Sequence, residues 1–456
     1  MRHRNLRTVL VFTLAILAVV RFGGNIGYNP HVPAPTTPEA ARVAHFLYKD
    51  GNWANPYVAL PTGPTAHEAP LFPALLAGLY GIFGDRGTGV LAVEVLQALV
   101  LTVQTMMMPL LAISLGIGFD VGCIAAFLLI LGSGQEPYWE QNYVGLLLVV
   151  ASLLAFRLLQ ALETPFQKNN TANQGRGIWH SRSLMWPASA LGVMWGTILL
   201  TSPSPGLVWL SWVVLIGWKA RRSAQQVWVP IALIPLVMLV PWTWRNYRVF
   251  HGPVLIRSNL GIELDVSNNP CASYAMRENM ISGCSHSRHP FQNPEEAEKV
   301  VQLGESKYNR AKLKHALSWI VANPRHFVHL TLQRFVYFWF PTDSGGSFYD
   351  ALFGFNEDKG PIQSWVVYPA TLLSIPGLVL LWRRTRSAAL VCGSILFFYP
   401  LVYYVVQFDY RYRLPILWVT FFLGAIAARR AVSLVKSFGK APTAYREELA
   451  RQFGLR

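Results

Sequence analysis

Long apolar runs separated by short charged loops constrain this chain more than any other feature. Each of the main runs approaches the roughly 20 residues that a helix needs to cross a bilayer. They lie near 8–22, 89–115, 118–134, 141–162, 184–201, 204–218, 226–244, 362–382, 387–407 and 412–428. Only 14% of the 456 residues are charged and 52% are hydrophobic, which exceeds what a soluble core requires. The pattern predicts an all-α polytopic membrane protein with about ten transmembrane helices.

One further apolar run, at 70–84, is short and carries Pro70 and Pro73 at its start. Charged loops on either side require an even number of crossings between residues 70 and 140, although three apolar runs occupy that interval. We expect the 70–84 run to dip into the membrane rather than cross it, because it is the shortest and contains prolines. Which of the three runs fails to span stays open.

The formal net charge of +16 is concentrated in short loops beside the apolar runs. The clusters comprise Lys219, Arg221 and Arg222; Arg383, Arg384 and Arg386; and Arg429, Arg430, Lys436 and Lys440. Such loops stay cytoplasmic and contact anionic lipids. No nucleic-acid-binding motif accompanies them, so we expect no nucleic-acid partner.

Charge parity then divides the chain into four parts, with both termini in the cytoplasm. Residues 1–244 form an N-terminal transmembrane bundle that includes a first external loop at 24–69. Residues 245–361 form an extracytoplasmic subdomain, in which the stretch 326–340 lies along the membrane surface. Residues 362–430 supply the C-terminal transmembrane helices, and 431–456 form a basic cytoplasmic tail. The first run follows Arg2, Arg4 and Arg7 without a cleavage site, as expected of an uncleaved anchor.

A short amphipathic helix is predicted in the first external loop. Thr37 would cap it and Pro38 would occupy its first turn. Apolar residues then recur at helical spacing: Ala40, Val43, Ala44 and Leu47. This helix should rest on the membrane surface.

Four cysteines fall into two environments. Cys123 and Cys392 lie in apolar runs, where a thiol behaves as a small hydrophobic group. Cys271 and Cys284 lie in the external subdomain, and an oxidising compartment favours a disulfide between them. A zinc site that combines them with His286 and His289 is the alternative, although the spacing lacks a C-x-x-C pair.

Two stretches place arginines where an apolar run meets water, at 241–250 (PWTWRNYRVF) and at 408–415 (FDYRYRLP). With 261–270 (GIELDVSNNP), they resemble the bacterial GT-C glycosyltransferases of family 39, the protein mannosyltransferase and aminoarabinose transferase type. The resemblance implies a GT-C-like bundle with a small mixed extracytoplasmic subdomain in a bacterial inner membrane. It also implies inverting transfer from a polyprenyl-phosphate-linked sugar to a lipid, glycan or protein acceptor at the extracytoplasmic face.

The same resemblance suggests the acidic site residues. Glu39 is the best match to the family's catalytic acid in the first external loop, although the usual Asp has no clear counterpart here. The alternative is that Glu39 only complements the helix dipole, which would lower its pKa. Glu68, with His67 beside it, precedes a Pro-Leu-Phe-Pro stretch that resembles the family's entry to the second helix. Glu140 matches the position of a second acidic residue.

Arginines are the expected ligands of the donor phosphate, because guanidinium groups bind phosphate oxygens in bidentate fashion. We predict Arg411 and Arg413, supported by Arg245 and His67, with Asp409 orienting one of the arginines. The alternative is that these residues only mark the water boundary.

No compact acidic ligand set stands out, so the sequence predicts no metal cofactor, although some GT-C enzymes require a divalent metal. Two other functions stay open: a transporter or flippase of a lipid-linked precursor, and a catalytically silent relative that binds a lipid carrier. Transport normally requires ionisable groups near the bilayer midplane. The candidates for such groups are few, namely Glu94, Asp120 and Arg157.

Overall fold

The computed structural model describes residues 2–24, 26–35, 38–163, 174–220, 224–341 and 362–439. Over these ranges the regular structure is helical, with two isolated β-bridges and no strand. The helices are α1 Arg2–Gly23, α2 Glu39–Asp50, α3 Leu71–Phe83, α4 Gly87–Ser114, α5 Phe119–Gly132, α6 Gln141–Glu163, α7 Gln174–Thr201, α8 Gly206–Ala220, α9 Ala224–Phe250, α10 Leu260–Ser267, α11 Met276–Ile281, α12 Pro294–Leu303, α13 Glu305–Ala322, α14 Pro324–Trp339, α15 Ile362–Arg384, α16 Arg386–Phe398, α17 Leu401–Val405, the 3-10 helix Tyr410–Arg413 and α18 Leu414–Gly439. The predicted all-α class is confirmed.

Seven candidate membrane spans occur in the described part of the chain, judged by length and hydropathy. They are Gly87–Ser114, Gln141–Glu163, Leu184–Thr201, Gln226–Phe250, Trp365–Arg384, Arg386–Val405 and Tyr410–Ser437. Three shorter apolar helices, α3, α5 and α8, have between 10 and 17 residues. The protein is therefore a multi-pass membrane protein, and the total of ten crossings stays a prediction.

Small residues allow neighbouring spans to pack closely. A Cβ atom added to Gly377 of α15 would lie 2.0 Å from the carbonyl oxygen of Leu423 in α18. A Cβ added to Gly192 of α7 would lie 2.5 Å from the carbonyl oxygen of Pro230 in α9. Because lipid tails are as apolar as leucine, close packing rather than water exclusion holds such helices together.

Apolar side chains also cover the outer surface of the bundle. Val214, Ile375 and Ile16 are 70%, 69% and 61% exposed. Trp195 and Trp418 are fully buried between the helices. A protein with large apolar groups both inside and outside is one that is surrounded by lipid.

The described part of the external segment 245–361 ends at residue 341, and its regular structure is helical apart from the isolated β-bridge at Ala275, so the predicted mixed subdomain is not confirmed. This segment contains a buried carboxylate, that of Asp265. Its Oδ2 atom lies 3.1 Å from Lys312 Nζ. His315 Nδ1 lies 2.5 Å from the other Asp265 oxygen. These contacts join α10 to α13, which supports the loops between them. The surface-lying stretch predicted at 326–340 is the helix α14, and it is not among the candidate spans.

The structure joins Cys271 and Cys284 in a disulfide, with 5.8 Å between their Cα atoms. The alternative zinc site on these two sulfurs is therefore wrong, since a disulfide sulfur is not a thiolate ligand. Cys392 is buried and Cys123 partly buried, both as free thiols.

Some predicted features lie wholly or partly outside the described residues. They include Thr37, residues 164–173 of the predicted cytoplasmic loop, residues 342–361 of the external segment and residues 440–456 of the predicted tail. Helix α18 continues into the region predicted as tail and ends at Gly439.

Candidate active site

Arg257 is the centre of a buried cluster at one end of the helix bundle. It lies in the loop between α9 and α10, and its Nη2 atom is 2.8 Å from Glu68 Oε1. Its Nη1 atom is 3.4 Å from Glu140 Oε1. The Nε atom donates to the backbone carbonyl of His67 at 2.8 Å. Arg257 thus brings together Glu68 and Glu140, which are more than 70 residues apart in the chain. Sequence reasoning missed it, because nothing distinguishes this arginine from an ordinary loop residue.

Glu305, at the start of α13, holds the loop that carries His67 and Glu68. Its carboxylate accepts hydrogen bonds from Thr65 Oγ1 at 2.5 Å and from the Ala66 amide at 2.8 Å. The loop is therefore fixed from the side of the external segment. Both His67 and Glu68 are buried as a result, at 1% and 5% exposure.

Arg245 supports the same loop from the membrane side. Its Nη1 atom donates to the carbonyl of Thr65 at 2.8 Å, and Nη2 donates to the carbonyl of Trp53 at 3.1 Å. Its guanidinium also lies 5.0 Å from the ring centre of Trp242. The structure thus places Arg245 behind the loop, with its donors directed to two backbone carbonyls and to Asn246 Oδ1.

Glu39 begins helix α2, and Pro38 occupies the cap position without a side-chain cap hydrogen bond. Burial raises the pKa of the Glu39 carboxyl from its usual 4.5 to about 7, although a backbone hydrogen bond and Arg411 oppose the shift. The helix dipole would lower this pKa, so desolvation is the larger effect. A carboxyl with a pKa near neutrality suits general-base catalysis.

A fourth carboxyl, that of Glu263, joins Glu39, Glu68 and Glu140. Desolvation raises the pKa of Glu263, and Arg257 and Arg411 oppose the rise. Burial also raises the pKa of Glu68, again against the attraction of Arg257. Glu263 lies in the 261–270 stretch that supported the family resemblance, yet its position beside the other acids could not be read from that pattern.

Arg411 approaches this cluster from the loop before α18. Its guanidinium carbon lies 3.4 Å from the centre of the Trp139 ring, and its Nε atom lies 3.6 Å from Asp409 Oδ2. Asp409 Oδ1 accepts the Arg411 amide at 3.0 Å and so begins the 3-10 helix. Nearby, burial raises the pKa of Glu136 to about 7, with Arg411 opposing the shift. The Nε atom of Arg411 has no hydrogen bond among the described residues.

Arg413 lies two residues after Arg411 but forms hydrogen bonds with different partners. Its Nη1 atom donates to the carbonyl of Trp339 at 2.5 Å, and Nη2 donates to Thr371 Oγ1. The residue is 2% exposed. Both terminal nitrogens of Arg413 therefore hold α14 and α15 against the start of α18.

Glu39, His67 and His289 form a set of three potential metal ligands. Their ligand atoms all lie within 4.8 Å of one another. Tyr57 Oη lies 3.2 Å from His67 Nδ1, and the amide of Phe291 donates to His289 Nδ1 at 3.1 Å. The contact of His67 fits either tautomer, whereas a neutral His289 that accepts at Nδ1 carries its proton on Nε2. Metal binding by His289 would therefore require the bond from the Phe291 amide to break. Sequence reasoning missed this set because its members lie in three separate parts of the chain.

Both histidines are held in the neutral form. Desolvation lowers the pKa of His67 well below 6.5, and Arg257 and His289 lower it further. Desolvation and Lys312 lower the pKa of His289 to about 4. One carboxylate and two imidazoles form a donor set typical of zinc sites that keep a position open for a substrate.

Comparison with known proteins finds similarity at the level of structure. No family model matches the sequence, and no curated protein matches it either. The chain superposes on the archaeal oligosaccharyltransferase AglB from Archaeoglobus fulgidus, solved with an inhibitory peptide and a dolichol-phosphate, with a TM-score of 0.54 and 13% identity over 99% of this chain. A structure of the same oligosaccharyltransferase with Zn and sulfate gives a TM-score of 0.53 and 12% identity over 93% of this chain.

The chain covers 54% and 49% of these two oligosaccharyltransferase chains, about half of their length. ArnT from Cupriavidus metallidurans, bound to undecaprenyl phosphate, also matches, at 14% identity over 95% of this chain and 79% of that chain. Its TM-score of 0.33 is too low to support a structural argument. At these identities the similarity establishes the fold.

Proposed function

We propose that this chain, whose fold is the GT-C-like helix bundle, is a membrane glycosyltransferase that uses a polyprenyl-phosphate-linked sugar. The acceptor would be a lipid, glycan or protein that reaches the same membrane face. One observation carries the proposal: the carboxylate of Glu39 lies within 4.8 Å of a ring nitrogen of His67, whose backbone carbonyl binds Arg257 at the same end of the bundle. This transfer requires a carboxylate that can accept a proton and cations that can hold a phosphate.

Glu39 would take the proton from the acceptor hydroxyl as its oxygen attacks the anomeric carbon of the donor. The bond from that carbon to the phosphate oxygen breaks at the same time, and the polyprenyl phosphate leaves with the electron pair. Attack opposite the leaving group inverts the anomeric configuration. Because Glu39 is partly buried, its proton affinity is set by the protein rather than by bulk water.

Arg411 would stabilise the departing phosphate. Its guanidinium is fixed on Trp139, and its Nε atom, 3.6 Å from Asp409 Oδ2, makes no hydrogen bond among the described residues. The charge of Arg257 is balanced by Glu68 and Glu140, so its main role would be to hold these acids and the His67 backbone. We assign Arg413 and Arg245 to positioning, because their terminal nitrogens donate to protein groups.

A divalent metal could be held by Glu39, His67 and His289 once His289 Nδ1 is released by the Phe291 amide, and Zn is present in one structure of the oligosaccharyltransferase. Such an ion, when bound, would supply positive charge next to the donor phosphate. It would also lower the pKa of Glu39, so the role of Glu39 as general base applies to the metal-free site. His67, predicted as a phosphate ligand, would then act as a metal ligand instead.

Metal binding can be measured by isothermal titration of the purified protein with zinc chloride. We expect one site that is lost in His289→Ala and retained in His286→Ala, because His286 is exposed and lies outside the set. The affinity for zinc should already fall as the pH drops below about 7, because Glu39 becomes protonated there. Protonation of His289 would lower the affinity only near pH 4. Unchanged affinity in His289→Ala would remove the metal site.

The activity can be tested with purified protein in lipid nanodiscs and radiolabelled polyprenyl-phosphate sugars. Release of the free polyprenyl phosphate with transfer of the label supports the transferase. Binding without release would indicate a silent carrier-binding protein. Movement of the label across vesicles without bond cleavage would indicate a transporter, and either of these outcomes would overturn the proposal.

A further inference from the structure

A cavity of about 300 Å³ lies at the opposite end of the bundle from the candidate active site, between α5, α15 and α18. Helix α18 begins at Leu414, next to Arg413, and lines this cavity from Ile426 to Ser433, with Arg429 in the middle of that stretch. At 1.5 Å per residue the separation along the helix is about 22 Å. The cavity is therefore close to the other surface of a hydrocarbon layer that is roughly 30 Å thick.

The cavity has an apolar floor and a cationic rim. Ile117, Val121 and Leu381 line it and are at most 5% exposed. Three arginines also line it, and all three residues are exposed: Arg384, Arg429 and Arg430. The apolar floor is therefore suited to a hydrocarbon chain, and the rim of arginines is suited to a negatively charged group.

The protein itself orients two of these arginines. Arg429 Nε lies 2.6 Å from Asp120 Oδ2, and Arg429 Nη1 donates to the carbonyl of Ile117 at 2.7 Å. Arg384 donates to the carbonyl of Gly116. Arg430 makes no hydrogen bond or ion pair within the part of the chain that the structure describes. One aspartate beside three arginines leaves an excess of positive charge at the rim.

The surroundings of the cavity favour a lipid over a soluble anion. Val379 of α15 and Val432 of α18, close to the lining residues, are 49% and 53% exposed. A soluble phosphate would use the arginines but leave the apolar floor unoccupied, whereas a lipid uses both. Guanidinium groups bind phosphate oxygens through charged hydrogen bonds, and basic pockets between transmembrane helices bind anionic head groups.

We propose that this cavity binds one anionic phospholipid, with its phosphate at Arg384 and Arg430 and the beginning of an acyl chain on the apolar floor. The bound lipid connects the loop at 115–118 to α15 and α18. It therefore stabilises the close contact that Gly377 permits between these two helices. This site does not depend on the glycosyltransferase activity proposed above.

The test is native mass spectrometry and thermal unfolding of the full chain, purified in a mild detergent, with added phosphatidylglycerol or phosphatidylcholine. We expect one phosphatidylglycerol to remain bound and to raise the unfolding temperature by a few degrees. Arg430→Gln should weaken its binding about 10-fold, the effect of losing one charged hydrogen bond. This variant should fold normally, because Arg430 holds no other described residue.

Lys436→Gln is the matched control, since Lys436 is exposed on the same helix and lies outside the cavity lining. It should bind phosphatidylglycerol as the wild type does. An equal loss of binding in Lys436→Gln would show unspecific attraction to basic surface. Equal stabilisation by phosphatidylcholine or by inorganic phosphate alone would also overturn the site.

Discussion

The pKa of Glu39 links its proposed role as a base to the stability of the fold. Burial raises its pKa to about 7, against an ordinary 4.5 in the unfolded chain. The folded protein therefore binds this proton more tightly than the unfolded one. The resulting stabilisation is present below about pH 4.5 and is lost as the pH rises through about 7. Above pH 7 the ionised group destabilises the fold, as is common for catalytic groups.

Replacing Glu39 by glutamine should therefore separate activity from stability. At pH 8 we expect Glu39→Gln to lose at least 100-fold in transfer rate, because the base is removed. Its unfolding temperature should equal or exceed that of the wild type, because a buried charge is removed as well. Single-turnover transfer and thermal unfolding measure the two effects.

Glu298→Gln is the control for this change, since Glu298 is exposed on α12. It should leave both the rate and the unfolding temperature unchanged. A Glu39→Gln enzyme with wild-type activity would exclude Glu39 as the base.

The two neighbouring arginines should respond differently to the same substitution. We expect Arg411→Ala to raise the KM for the donor about 10- to 100-fold with little change in unfolding temperature, because it removes a charged hydrogen bond to the phosphate. Arg413→Ala should instead lower the unfolding temperature, since the Trp339 carbonyl would lose its donor. Steady-state kinetics at several donor concentrations and thermal unfolding distinguish the two. Equal effects of the two substitutions on KM would remove the distinction.

At the scale of elements, the disulfide loop supports the segment that carries Arg411. Within the loop closed by Cys271 and Cys284, the carbonyl of Tyr274 accepts the Phe408 amide at 2.7 Å, and the Met276 amide donates to the Phe408 carbonyl at 2.8 Å. This parallel bridge ends one residue before Asp409. The external segment thus sets the position of the loop before α18.

Loss of the disulfide should therefore affect donor binding as well as yield. We expect the double change Cys271→Ser and Cys284→Ser to raise the donor Kd several-fold, because the loop becomes free to open. The yield of folded protein should fall too, since a loop of this size contributes about 3 kcal/mol. Equilibrium binding of labelled donor to the folded fraction is the measurement.

Cys123→Ala is the matched control, because that thiol is free. It should retain the donor affinity of the wild type. Unchanged affinity in the double serine variant would show that the disulfide serves stability alone.

For the whole molecule, the two ends of α18 should lie on opposite sides of the membrane. The acidic cluster and Arg411 lie at one end, and the exposed arginines Arg384, Arg429 and Arg430 lie at the other. Short loops rich in arginine stay in the cytoplasm, so the candidate active site should face the extracytoplasmic side. The proposed reaction uses the lipid-linked donor at this same extracytoplasmic face.

Labelling of intact cells with a membrane-impermeant maleimide tests this orientation. In a background without Cys123 and Cys392, we expect the reagent to label His286→Cys and to leave Lys436→Cys unlabelled until the cells are opened. Both positions are exposed, so accessibility to the reagent depends on the membrane side. The opposite pattern would place the candidate active site in the cytoplasm and contradict the proposed function.

The sequence by itself determined the class of protein and the approximate positions of its helices. Apolar runs such as 141–162 and 226–244 correspond to α6 and α9, because a bilayer imposes both length and hydrophobicity on any spanning segment. The family resemblance suggested Glu39, Glu68 and Glu140 as site residues and Arg411 as a phosphate ligand, and these roles stay predictions. The pairing of Cys271 with Cys284 followed from their compartment.

Only the tertiary structure decided what these residues do together. Arg257 lies between Glu68 and Glu140. Arg413 donates to the carbonyl of Trp339, and His289 lies close to Glu39. Hydrophobic periodicity reports whether a side chain faces lipid or protein, but contacts between distant loops depend on how the helices pack. The pKa of Glu39 likewise follows from burial by groups remote in sequence, so no local pattern could reveal it.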